Sequence, residues 1–196
     1  MTLVGFKRLE IGILSDSGQT TETYVIEGEA SEGATTAAEI TGLNKEATRI
    51  YGSDIAYYVS QRGTGDVVVN LSLLDLPADI NDKILGYETG EDGISYLGER
   101  TEAPECAIML ESSTLQGDTA LLAFFRGKFS KDGTTLKTLT NEAFEPEAES
   151  LVFNAVSDTK EGSTKGQVVG KYIGKEESAI QALRQQTFPG VNVPEA

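Results

Sequence analysis

The chain has 196 residues, with no histidine, no tryptophan, one cysteine, and 31 acidic residues against 16 basic ones, for a formal charge of −15. Without histidine there is no Ser-His-Asp triad and no histidine-ligated zinc, and a lone cysteine closes no intramolecular disulfide. A surface this acidic repels nucleic acid and anionic membranes, because phosphate binding depends on basic groups that release counterions.

A chain of this length buries roughly 70% of its unfolded surface as one domain. The pattern predicts a single β domain over residues 1–186 and an extended C-terminal arm over 187–196. Leu3 to Leu14 reads as a strand ending at the turn signal Asp16-Ser17-Gly18. Thr20 to Glu27, with Tyr24 and Ile26 on one face, is expected to return beside it as a hairpin. Thr35 to Leu43 is a weaker strand broken by Gly42 and Asn44, and Asn44 to Asp54 reads as a loop with little core-forming pattern. Ile55, Tyr57 and Val59 then alternate with Ala56, Tyr58 and Ser60. Past Gly63-Thr64-Gly65, Val67, Val69, Leu71 and Leu73 share one face, while Asp66, Val68, Asn70 and Ser72 make the other half wet. Pro77 suits the first position of a short helix, with Ile80 above Ile84 and Gly86 as the stop.

Further strands are predicted over Cys106 to Glu111, Thr119 to Ser130, Thr134 to Thr140, Ser150 to Ser157 and Gln167 to Ile173. Glu91-Asp92-Gly93 and Asp132-Gly133 read as hairpin turns, and the acidic run Glu142 to Glu149 as a solvated loop. In the strand from Thr119, Leu121, Ala123, Phe125 and Phe129 share one face, and Ala120, Leu122 and Phe124 the other. A strand apolar on both faces needs cover on both, from a helix or from a neighbouring subunit. Glu176 and Glu177 open a last helix with Ile180 and Leu183 on one stripe, and Pro189-Gly190 ends it. The fold class is mainly β (α+β): an antiparallel sandwich or barrel with one flanking helix and a short C-terminal helix.

Chemistry is sparse. Asp75 and Asp79 flank a helix start, where acids serve as caps, and the chain holds enough carboxylates to make such pairs common. Gly63-Thr64-Gly65 lacks the third glycine and the following helix of a dinucleotide loop. The glycine turns miss calcium-loop spacing, Asn70-Leu71-Ser72 is a sequon placed mid-strand, and Cys106 sits in an apolar run as a small buried hydrophobe. No catalytic residue, metal site or cofactor is expected, and neither is an enzyme. Lys7 and Arg8 interrupt the apolar stretch near the N-terminus, and no apolar run approaches the ~20 residues of a membrane helix. The expectation is a soluble protein made in the cytoplasm, with no membrane anchor.

Five phrases occur in order along nearly the whole chain: Val4-Gly5-Phe6-Lys7, Ile50-Tyr51-Gly52-Ser53, Gly63-Thr64-Gly65-Asp66, Asp75-Leu76-Pro77-Ala78-Asp79-Ile80 running into Ile84-Leu85-Gly86-Tyr87, and Ala123-Phe124-Phe125-Arg126-Gly127-Lys128-Phe129. In that order they resemble the major tail proteins, or tail-tube proteins, of the long non-contractile tails of siphophages. The resemblance implies two packed antiparallel sheets closing toward a barrel, and a structural place in the virion tail. It implies hexameric rings stacked into a tube whose lumen conducts DNA to the host without binding it specifically. Tape-measure, tail-terminator and distal-tail proteins are the implied partners. Six copies at −15 each carry about −90 per ring, so an acidic inner wall is the implied means of letting DNA pass. Ring closure would also pair open sheet edges with the next subunit.

Under that resemblance Arg49, Tyr51 and Asp54 in the predicted loop, Leu122 and Phe124 on the two-faced strand, and Phe188 in the arm are candidate subunit contacts. The loop and the arm are expected to be mobile in the free subunit and ordered by neighbours in the tube. The alternative from another class is a monomeric β-sandwich binding or adhesion module. The absence of tryptophan and of an export signal weighs against it.

Overall fold

The computed structural model describes residues 2–138 and 145–191. Its elements run β1 (Leu3–Leu14), β2 (Thr20–Ile26), β3 (Ala34–Thr41), β4 (Thr48–Gly52), β5 (Ile55–Ser60), β6 (Val67–Leu74), α1 (Ala78–Leu85), β7 (Glu88–Thr89), β8 (Ser95–Tyr96), β9 (Cys106–Thr114), β10 (Thr119–Ser130), β11 (Glu149–Ala155), β12 (Val169–Gly174) and α2 (Glu177–Thr187). Eight strands form one antiparallel sheet in the order β2-β1-β9-β10-β11-β6-β3, with β12 added on β10. The far strand β3 comes back toward the start of β1, where Thr35 Oγ1 donates to the Phe6 carbonyl at 2.7 Å. The sheet therefore curls toward a barrel, as a mainly-β α+β fold. The predicted pairing of the first two strands holds, and β6 alternates buried and half-buried residues as its sequence does.

The long strand β10 organises the core. Its first half runs between β9 and β12, and its second half pairs with β11. A register irregularity between Phe124 and Gly127 marks the crossing. Because such an irregularity swaps faces, Phe129 does not stay with Leu121, Ala123 and Phe125. It joins Phe124 in the main cluster, and both rings meet Phe153, at centroid distances of 5.0 and 6.4 Å. Gly127 permits the crossing, since a Cβ there would lie 2.4 Å from the Asn154 carbonyl oxygen. Leu121, Ala123 and Phe125 form a second cluster with Leu183 and Phe188. Both apolar faces of β10 are thus covered from within the subunit.

Two helices close the ends. α1 buries Ile80, Ile84 and Leu85 in the main cluster and stops at Gly86, which takes the left-handed cap conformation. Its Lys83 Nζ lies 2.8 Å from Glu22 Oε2 on β2 and over the Tyr24 ring. α2 is fastened to β1 by Arg184, which shares Glu10 with Arg8. Phe188 follows α2 and packs on β1 where Gly12 leaves room, since a Cβ on Gly12 would sit 2.6 Å from the ring.

Several expectations change. Thr187 ends α2 and Phe188 is only 2% exposed, so the predicted arm begins inside the core because the apolar ring seals the second cluster. Pro189 is held as well, its carbonyl accepting the Thr20 N–H at 2.8 Å; residues 192–196 lie outside the described residues. No strand forms over 134–138, where the side chains are exposed, so Asp132-Gly133 closes no hairpin; Leu139 and Thr140 lie outside the described residues. The acidic run is exposed and irregular over 145–148, and Glu149 begins β11; residues 142–144 are not among those described. Finally, the predicted loop from Asn44 to Asp54 contains a strand, β4, which pairs with β5.

Candidate interaction surface

The β4–β5 pair is a two-stranded sheet of its own, separate from the eight-stranded body. Thr48, Ile50 and Tyr51 favour extended backbone, and the register runs Thr48 opposite Ser60, Arg49 opposite Val59 and Ile50 opposite Tyr58. A bulge between Ile50 and Tyr51 adds twist before the turn at Ser53-Asp54. Paired residues share a face, so Ile50 and Tyr58 lie on one side and Arg49 and Val59 on the other. Apolar side chains are exposed on both sides: Ile50 at 56%, Tyr51 at 65% and Tyr57 at 80%. No residue from Leu43 to Thr64 is buried.

Such a surface is unusual for an isolated subunit. A lone two-stranded hairpin is marginal in water, and contiguous exposed apolar side chains mark interaction sites. The hairpin also differs in charge. Residues 44–62 hold Lys45, Arg49 and Arg62 against Glu46 and Asp54, in a chain of net charge −15. None of the ion pairs among the described residues involves those three cations. A smaller hairpin, β7–β8, adds exposed Ile94, Tyr96 and Leu97.

The sequence candidates separate into two groups. Arg49, Tyr51 and Asp54 come together on the exposed hairpin. Leu122 is half-buried between its strand neighbours Leu110 and Lys171, while Phe124 is fully buried in the main cluster and Phe188 packs with Leu183 of α2 in the second. Sequence reasoning passed over Ile50, Tyr57, Tyr58 and Val59. The signal was there: Tyr57-Tyr58-Val59 is apolar on both strand faces.

The remaining polar cluster is structural. Arg126 of β10 grips both carboxylate oxygens of Glu105, one at 2.7 Å from Nε, and donates to Thr159 Oγ1 at 3.1 Å. The hydrogen bond from Arg126 holds the Glu105 carboxyl below its ordinary range. Asp158, 2% exposed, accepts the Lys160 N–H at 3.0 Å, with Lys160 Nζ 3.7 Å from its other oxygen; burial lowers the pKa of that lysine. These contacts pin the loop between β11 and β12 to the body. Burial pushes the Cys106 thiol up to about 12, so it is an inert packing group. Among the described residues, no three metal-ligating side chains cluster, and no helix is long and apolar enough to cross a membrane.

A family model described as phage tail tube protein matches residues 1–196, the whole chain. No curated protein matches it.

Proposed function

Because the chain belongs to the phage tail tube protein family, we propose that six copies close into a ring and that rings stack into a tail tube conducting DNA to the host. Membership of the family carries a structural role, a place in the virion tail and self-assembly into a tube. The observation that carries the finer reading is the β4–β5 hairpin, apolar on both faces, exposed, and basic within an acidic chain. It is the docking element, and its place is on the next copy. Among the described residues β2, β3 and β12 have a partner strand on one side only, and lateral pairing at such edges accounts for ring closure.

The tube is that of a siphophage tail, with tape-measure, terminator and distal-tail proteins as its partners, and its subunits are made in the host cytoplasm. The net charge supports an acidic inner wall, past which phosphate moves without being held by counterion release. Negative-stain imaging of the concentrated protein tests the reading, with six-fold rings or tubes expected. A species that stays monomeric, even with a tail initiator supplied, overturns it. Replacing wall-facing acids with lysine should leave tubes normal and slow DNA ejection, most at low salt.

A further inference from the structure

The tip of the β4–β5 hairpin differs from the chain's other tight turns between paired strands, and from the turn at Ser31, where one non-glycine residue alone is left-handed at φ 67°. Between β1 and β2, β7 and β8, and β9 and β10, the left-handed residue is a glycine: Gly18 at φ 77°, Gly93 at 76° and Gly117 at 81°. Between β4 and β5 the chain reverses over two residues, and both are left-handed without being glycine: Ser53 at φ 52° and Asp54 at 61°. Two positive φ values in a two-residue hairpin loop define the type I′ turn, for which Asn-Gly carries least strain. Aspartate tolerates this region when its side chain bonds local backbone. Here neither the Ser53 nor the Asp54 side chain makes a hydrogen bond within the described residues. Local conformation therefore does not account for the pair.

We propose that Ser53 and Asp54 stand at the tip because their side chains contact a second copy of this chain, the Asp54 carboxylate meeting a cation there. This rests on the reading of the hairpin as the docking element. The occupant follows from charge. The hairpin's own cations suit the acidic body of a second copy, but an aspartate at the foremost point is repelled by that body on average. Its receptor has to be locally basic. Besides the hairpin's own Lys45, Arg49 and Arg62, Lys7, Arg100 and Lys171 are exposed and join no ion pair among the described residues, so they are the cations that the body of a second copy offers. Two successive left-handed residues that are not glycine carry backbone strain, and such strain clusters at sites where side chains make functional contacts.

The test pairs a turn-optimised variant with a charge-only one. S53N/D54G should fold at least as stably as the parent chain while raising the critical concentration for tube formation at least ten-fold. D54N keeps a residue that tolerates the left-handed conformation and removes only the charge. It should weaken assembly several-fold at low salt and little at high salt. Assembly of both variants at the parent concentration overturns the inference. Tyr58→Thr in the same assay separates the two readings: if the parent chain polymerises and Tyr58→Thr does not, the docking hairpin stands whatever the tip variants do. If the parent chain forms no polymer, the underlying reading has failed instead.

Discussion

Strand β10 and the β4–β5 hairpin are both apolar on two faces, yet they meet opposite fates. On β10, Phe124 faces the main cluster and Leu121, Ala123 and Phe125 face α2, so the subunit supplies both covers. On the hairpin, Ile50, Tyr51, Tyr57 and Tyr58 are exposed on both sides, and none of the described residues covers them. The difference teaches that two-faced apolarity says a strand is covered twice, and not by whom. The answer depends on where other elements lie. β10 has strands on both edges and a helix brought back over it by the Arg184–Glu10 contact. The hairpin leaves the sheet between β3 and β6 and pairs only with itself.

Truncation of Phe124 probes the covered strand most severely. Phe124→Ala removes a fully buried ring that meets Phe153 edge-on, and should cost about 3–5 kcal/mol. Denaturant unfolding of dilute subunits measures it. A loss under about 1 kcal/mol would place the residue outside the cooperative core. Gly12→Ala comes next, because its Cβ would overlap the Phe188 ring. Overpacking there should cost about 1–3 kcal/mol and loosen the end of α2. Adding Phe188→Ala should recover part of the clash while exposing the second cluster, a coupling that a double-mutant cycle reads directly.

The comparison also explains what the sequence disclosed. The body was legible because alternation on β6 and the apolar runs of β9 and β10 match their burial. The helix from Ala78 was legible from Pro77, the Ile80–Ile84 spacing and Gly86. The crossing of β10 was not, because a register irregularity leaves no periodic trace, and Phe129 was therefore set on the wrong face. The arm was misjudged at its start, because a single phenylalanine after a helix does not announce a cavity shaped by Gly12. All the candidate contact residues came from the resemblance; for Leu122 and Phe124 it was joined to the two-facedness of β10, which leaves open whether a helix or a neighbour covers the strand. The strand hidden in the predicted loop was missed because its turn, Ser53-Asp54, carries no glycine signal.

Acid should separate the two regions more gently. Glu22, Glu102 and Glu105 are held below their ordinary 4.5 by hydrogen bonds from Lys83, Lys128 and Arg126. A carboxyl whose folded pKa is depressed stabilises the fold above its unfolded pKa, and that contribution disappears as pH falls through the lower folded value. The body should therefore lose melting temperature below about pH 4.5, modestly, because these pairs are largely solvated. Glu105→Gln should start from a lower melting temperature and show a shallower acid limb. An unchanged limb would mean that the Arg126 contact does not persist in solution.

The smallest effect on the subunit belongs to the hairpin. Tyr58→Thr puts a β-branched residue, itself suited to a strand, in place of an aromatic one and removes a side chain that is 54% exposed. Its unfolding free energy should stay within about 0.5 kcal/mol of the parent chain. In the free subunit, amides of β4 and β5 should exchange orders of magnitude faster than those of β10, because opening them uncovers no core. Assembly should reverse that contrast by slowing hairpin exchange toward the rate of the body, with Tyr58→Thr raising the concentration at which this occurs. Equal protection of the hairpin in free and assembled protein would mean that the subunit stabilises it after all. Its exposed apolar faces would then have to be explained without a second copy.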